Sequence, residues 1–247
     1  EHGEFARAAP LLVESTTLSH AMGSRYETAL ILGISGRLAL LLGDMPKAHA
    51  LLQVAVTLGR EFNHQELLGH IQPYLGLVTL YEGDPEETRR LLDDSLRLCL
   101  NLQDKSFVAR VCTDLAETAL WEGELNEAEL WLARSLTFHS NPLRIDVDQV
   151  QRVFVAASVA TAQQRYGHAA TLFGLADQLH STVHNVITGP MRATADDALA
   201  TVRAALAPSE FAAAFYAGQQ LSLAEAFATI HAPDHSAVTT RTAFLAK

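Results

Sequence analysis

Four glycines constrain this chain more than any other feature. Gly3, Gly43, Gly83 and Gly123 are each separated by 40 residues. Each opens a similar phrase: GEFARAAPLL, GDMPKAHALL, GDPEETRRLL and GELNEAELWL. A small residue follows five positions on, at Ala8, Ala48, Thr88 and Ala128. A large apolar residue comes next, at Leu12, Leu52, Leu92 and Leu132, and then another small one, at Ser15, Ala55, Ser95 and Ser135. Gly36, Gly76 and Ala116 stand seven positions before the glycines. A weaker fifth copy has Gln164 in the glycine slot, followed by Ala169, Phe173 and Ala176.

A register of this kind describes stacked pairs of antiparallel helices, as in tetratricopeptide repeats. The glycine reverses the chain at positive φ. The small residues permit a close crossing of helix A and helix B. The large residue fills the gap toward the next repeat. Asp84-Pro85-Glu86-Glu87 supplies an N-cap, a first-turn proline and an early acid. The common repeat has about 34 residues, so the extra six extend each helix by roughly one turn. Helix B of the first repeat is expected over 4–20. Pairs follow at 22–42 and 45–60, 64–82 and 85–100, 104–122 and 125–139, and 144–165 and 167–184. The first repeat has only its second helix, so the natural protein is expected to continue N-terminally.

The register stops after Val183. Gly189-Pro190 breaks the chain, and helices are expected at 191–206, 209–217 and 222–231. Gly218 reads as the C-cap of the second, and Ser222 with Glu225 as a capping box opening the third. The expected fold is all-α: a right-handed superhelix of antiparallel helix pairs over 1–184, a helical C-terminal cap over 185–231, and a tail or linker over 232–247.

Composition agrees and excludes alternatives. Hydrophobic residues make up 49% of the 247, which rules out a disordered chain. The 28 acids against 18 bases, a net charge of −10, argue against nucleic-acid binding by this piece. Two cysteines, Cys99 and Cys112, cannot form a disulfide scaffold. Both sit in apolar stretches on consecutive helices and read as buried, reduced thiols. No apolar run is long enough to span a bilayer, and a cytoplasmic location is expected.

The repeats from LGLVTLYEGDPEETRRLL to ELWLARSL resemble the 40-residue helical repeats of large bacterial signal-transduction ATPases of the STAND class. That class includes regulators similar to the maltose regulator and to LuxR- and AfsR-type transcriptional regulators. The stretches RYGHAATLFGLADQLH and ALAPSEFAAAFYAGQQLSLAEAFA resemble the segment that closes the repeat region in such proteins. The matching residues are Leu172, Phe173, Gly174, Phe211, Ala213, Gly218, Leu221, Ser222, Glu225 and Ala226. The resemblance implies a C-terminal sensor region that binds an inducer or partner and controls an ATPase domain upstream in the same chain. ATP would then bind elsewhere. Gly-Lys never occurs here, so this piece has no phosphate loop. No cofactor is expected in it.

Catalytic and metal constellations are thin. His180 and His184 have the i, i+4 spacing that can chelate zinc, but no third ligand accompanies them, and a solvated helix end is the preferred reading. Asp114 and Glu117 are three apart and can share a helix face. Paired carboxylates can do acid–base work, but no nucleophile stands with them, and the chain is expected not to be an enzyme.

The concave groove is the better site, since A helices line it in such solenoids. Positions 13, 10, 9, 6 and 2 before each turn glycine should face it. They give Arg37; His70, Pro73, Tyr74 and Tyr81; Arg110, Thr113, Asp114, Glu117 and Trp121; and Gln151, Phe154 and Ser158. The aromatics can anchor an interface and the arginines can pair an acidic group. The alternative for each is interhelical core or solvated face. The expected partner is a protein, a peptide or a small inducer. A free-standing scaffold that holds peptides in the same groove is the alternative to the sensor reading.

Overall fold

A computed structural model describes residues 23–138, 146–183 and 189–222, with Pro10–Leu12, Glu14, Ser15, Thr17–Ser19, Ala21 and Glu225. Between Arg25 and Gln219 the described residues form ten α-helices. They are α1 (Arg25–Leu41), α2 (Met45–Glu61), α3 (Gln65–Tyr81), α4 (Pro85–Asn101), α5 (Lys105–Trp121), α6 (Leu125–Thr137), α7 (Val147–Ala162), α8 (Tyr166–Thr182), α9 (Gly189–Ala205) and α10 (Pro208–Gln219). No strand occurs among the described residues. Consecutive helices pack in pairs, and α1, α3, α5 and α7 also pack on one another. The chain is an all-α helical-repeat solenoid. The described positions between Pro10 and Ala21 are helical, whereas the rest of the helix expected over 4–20 lies outside the described residues.

The period follows from chain geometry. Each of the first five helices has 17 residues. A repeat of about 34 residues with the same three-residue connections would leave about 14 per helix. The extra six residues are therefore shared between the two helices. The turn after helix A has positive φ at Gly43 (79°), Gly83 (88°), Gly123 (78°) and Gln164 (61°). A second register, unseen in the sequence, marks the turn after helix B: Gly23, Asn63 and Gln103 also have positive φ. The next residues, Ser24, His64 and Asp104, each cap the following helix by accepting its N3 backbone N–H. Asp44 and Asp84 do the same for the B helices.

The register residues form the pair interface. Ala48, Ala55, Thr88, Ser95, Ala128 and Ser135 are fully buried, with Leu52, Leu92 and Leu132 between them. Each such leucine contributes about 1.5–3 kcal/mol through burial. A Cβ on Gly36 would lie 2.5 Å from Leu52 Cγ, and one on Gly76 would lie 3.3 Å from Leu92 Cδ2. The large residue thus meets the small one within its own helix pair, where the sequence had suggested the gap toward the next repeat. The Thr88 hydroxyl bonds the Gly76 carbonyl at 3.1 Å, and that of Ser95 the Gly69 carbonyl at 2.6 Å. These polar residues are buried with their bonds made.

The C-terminal helices differ from expectation in one respect. Gly218 is inside α10, which runs on to Gln219, and does not cap it. Its role is a close crossing: a Cβ there would lie 1.9 Å from the Thr171 carbonyl oxygen of α8. Gly174 of α8 does the reciprocal service, 2.0 Å from the Phe215 carbonyl oxygen. α9 packs on α7 and α8, and α10 chiefly on α8. Ser222 and Glu225 form the expected reciprocal cap, with Ser222 N–H donating to Glu225 Oε2 at 2.8 Å and Glu225 N–H to Ser222 Oγ at 3.3 Å. The helix expected over 222–231 otherwise lies outside the described residues.

Candidate functional site

The inner residues of four successive A helices converge. Arg37 of α1 lies over the Tyr74 ring of α3, its guanidinium carbon 5.2 Å from the centroid. Arg110 of α5 lies over the same ring at 4.4 Å. Both arginines reach Asp148 in the first turn of α7. Arg110 Nη1 bonds its carboxylate directly, and Arg37 Nη2 stands 4.0 Å away. Arg110 Nε also donates to Asp114 Oδ2, one helical turn along, at 3.4 Å.

A carboxylate pair extends this network. Gln151 of α7 donates through Nε2 to Asp114 Oδ1 at 2.9 Å and to Glu117 Oε2 at 3.3 Å. The Tyr81 hydroxyl donates to Glu117 Oε1 at 2.6 Å. Asp114 and Glu117 do share one face, as their spacing implied, and both are buried. Loss of water costs the charged form most. It pushes the Asp114 pKa up to about 7 despite nearby Arg110, and raises that of Glu117. Burial, then the Glu117 charge, also raises Tyr81 well above its ordinary value. Burial opposes the Arg110 charge, but Asp148, Tyr74 and Asp114 outweigh it, and its pKa rises.

The other expected groove residues sit around this centre. Thr113 is buried, donating to the Ala109 carbonyl at 3.1 Å and accepting from Arg152 Nε at 3.2 Å. His70 stacks on Phe107 (centroids 3.7 Å apart) and its Nε2 pairs with Asp104 Oδ2 at 3.0 Å. Pro73, Phe154 and Ser158 are buried. Trp121 is 48% exposed, its ring 6.2 Å from that of Tyr81. The network therefore joins Arg37, Tyr74, Tyr81, Arg110, Asp114, Glu117 and Gln151. Thr113 and His70 stand beside it with partners of their own, and Trp121 marks its exposed end.

Two members were missed in the sequence. Asp148 lies at a helix start, before the first of the five groove positions. Arg152 occupies a column that reads Ile31, Ile71 and Val111 in the earlier repeats. An arginine there is buried, and burial lowers its pKa. That break in an apolar column was a usable signal.

The weaker candidates resolve into structure. His180 is buried, not solvated: its ring meets Phe154 edge-on at 5.7 Å and its Nδ1 lies 3.2 Å from Arg192 Nη1. His184 lies outside the described residues. No cluster of three His, Cys, Asp or Glu fit to hold a metal occurs among the described residues. Cys99 and Cys112 are buried free thiols, their pKa values pushed by burial to about 11 and about 12. A cleft of about 20 Å³ between α6, α7 and α8, lined in part by Glu129, Arg165 and His168, has room for roughly one water. No described helix is long and apolar enough to cross a membrane.

No protein-family model matches the chain, and no curated protein matches it.

Proposed function

We propose that this chain is a non-enzymatic sensor module that binds a protein, peptide or small inducer along the inner wall of its A helices. The observation that carries the reading is the run from Arg37 through Tyr74 and Arg110 to Trp121. Arginine and aromatic residues are the types that anchor interfaces. Here they line successive helices and end in exposed groups: Arg37, with 38% of its side chain accessible, and Trp121. A helical-repeat solenoid is suited to such a role because small changes at successive helix-pair interfaces add into a change of curvature.

The module belongs, in this reading, to a STAND-type regulatory ATPase or transcriptional regulator of a bacterium, acting in the cytoplasm. The support is the repeat register and the closing segment with Phe173, Gly174, Phe211 and Gly218. A phosphate loop upstream in the full reading frame would separate it from a free-standing scaffold.

The binding claim is tested by capture from lysate with the whole chain as bait. Because Arg110 and Tyr81 belong to a buried network, the variants of choice are Arg37→Glu and Trp121→Ala. Loss of the captured partner with unchanged helicity and melting temperature is expected. Full capture by the double variant contradicts the reading.

A further inference from the structure

The solenoid touches itself across its inner wall. Arg37 stands on α1 and Asp148 on α7, with α3 and α5 stacked between them, yet Arg37 Nη2 is 4.0 Å from Asp148 Oδ1. A second contact joins the α1–α2 turn to the start of α9. Gly43 and Gly189 both have positive φ, and a Cβ on Gly189 would lie 2.8 Å from Gly43 Cα and 3.5 Å from the Leu40 carbonyl oxygen. Neither contact joins helices that follow one another in the stack.

Both contacts are of a kind that parts easily. The ion pair is longer than a hydrogen bond, and its side chains are 38% and 36% accessible, so salt screens it and it contributes little. The two glycines meet backbone to backbone, with no side chain of their own to bury. Within the helix pairs the opposite holds: Leu52, Leu92 and Leu132 are buried there. Parting also leaves no buried charge alone. Arg110 keeps its direct bond to Asp148 and its bond to Asp114, and Arg37 passes to water that it already meets. Asp148 meanwhile offsets a repulsion, because the guanidiniums of Arg37 and Arg110 both lie over the Tyr74 ring, at 5.2 and 4.4 Å from its centroid.

We propose that these contacts form a salt-sensitive latch. The chain alternates between a closed form, with Gly43 on Gly189 and Arg37 at Asp148, and an open form in which both contacts are broken and every helix pair is kept. Opening widens the inner wall through small shifts at successive interfaces. The latch acts whatever the inner wall binds.

The test is the distance between two spin labels on the whole chain, read by double electron–electron resonance. The labels are carried by p-acetylphenylalanine in place of Lys47 on α2 and Asp197 on α9, both exposed. At about 20 mM salt one short distance should dominate, and at about 1 M a second, longer one should grow in. Arg37→Gln should raise the open fraction about threefold at low salt and abolish its rise with salt, whereas Arg37→Lys should behave as the parent. Gly189→Ala should leave the chain mostly open. Gly83→Ala, with the same positive φ but nothing within 4 Å of its added Cβ, should leave the distances unchanged. Circular dichroism verifies the fold of each variant, and the salt series needs no substitution at the latch, so it decides even where Gly189→Ala fails to fold. A single short distance unmoved by salt overturns the proposal, as does a long distance alone in the parent at low salt. Salt-driven opening that persists in Arg37→Gln overturns it too.

Discussion

Gly189, the first residue of α9, rests backbone to backbone on Gly43, in the turn between α1 and α2. A Cβ on Gly189 would lie 2.8 Å from Gly43 Cα, and one on Gly43 would lie 3.2 Å from Gly189 Cα. With the approach of Arg37 to Asp148, the contact ties the first repeat to helices far along the chain. It makes Gly43 unlike its register mates. Gly83 also has positive φ, but a Cβ there meets nothing within 4 Å. Gly83→Ala should cost roughly 1–2 kcal/mol, the penalty of a left-handed backbone alone. Gly43→Ala should cost more, and should enlarge the radius of gyration in solution scattering. Equal losses and equal radii for the two variants would show that the contact contributes nothing.

The crossing of α8 and α10 allows a harsher prediction. Side chains at Gly174 or Gly218 would strike carbonyl oxygens at about 2 Å, and backbone cannot move aside as a rotamer can. Gly174→Ala or Gly218→Ala should destabilise by about 3 kcal/mol, the upper end of overpacking, measured by urea unfolding. Protease sensitivity should rise first in α10.

Asp114 predicts a pH dependence of known sign. Its pKa is raised to about 7 in the folded chain by burial, against about 3.9 when unfolded. Between these values the folded chain holds more protons than the unfolded one, so this group lowers stability as pH rises. Below about 4 both states are protonated, and above about 7 both are ionised. The stability of Asp114→Asn relative to the parent should therefore increase from about pH 4 to about pH 7 and then level off. Denaturant melts across that range measure it; a parallel pair of curves would contradict the assignment.

The thiols test the packing of α4 against α5. Cys99 and Cys112 are buried, with pKa values pushed to about 11 and about 12. An aromatic disulfide reagent at neutral pH should leave both unmodified in the folded chain and label both in denaturant. Rapid labelling of the native chain would mean that this interface opens.

The sequence made the repeat legible because the constraint there is local. Gly43, Gly83 and Gly123 must turn the chain, and Ala48, Leu52 and Ala55 must fit a crossing, so each residue type reports its own job. Gln164 is legible only as a register mate, since glutamine does not announce a positive φ of 61°. The groove was legible as a set of positions but not as a state. Nothing at Arg110 or Asp114 says that the inner wall is narrow enough for four helices to bury them against one another, because that depends on curvature summed over repeats. Gly218 misled for a related reason. Near a helix end, a glycine that caps and a glycine that admits another backbone look the same until the second helix is placed.

We propose that partners meet the inner wall of the A helices. Photo-crosslinking from defined positions tests it most directly. A photoreactive residue in place of Trp121, exposed at the end of α5, is compared with one in place of Val54, equally exposed on α2. The captured partner is expected to crosslink from position 121 and not from position 54. Crosslinking from position 54 with none from position 121 would contradict it.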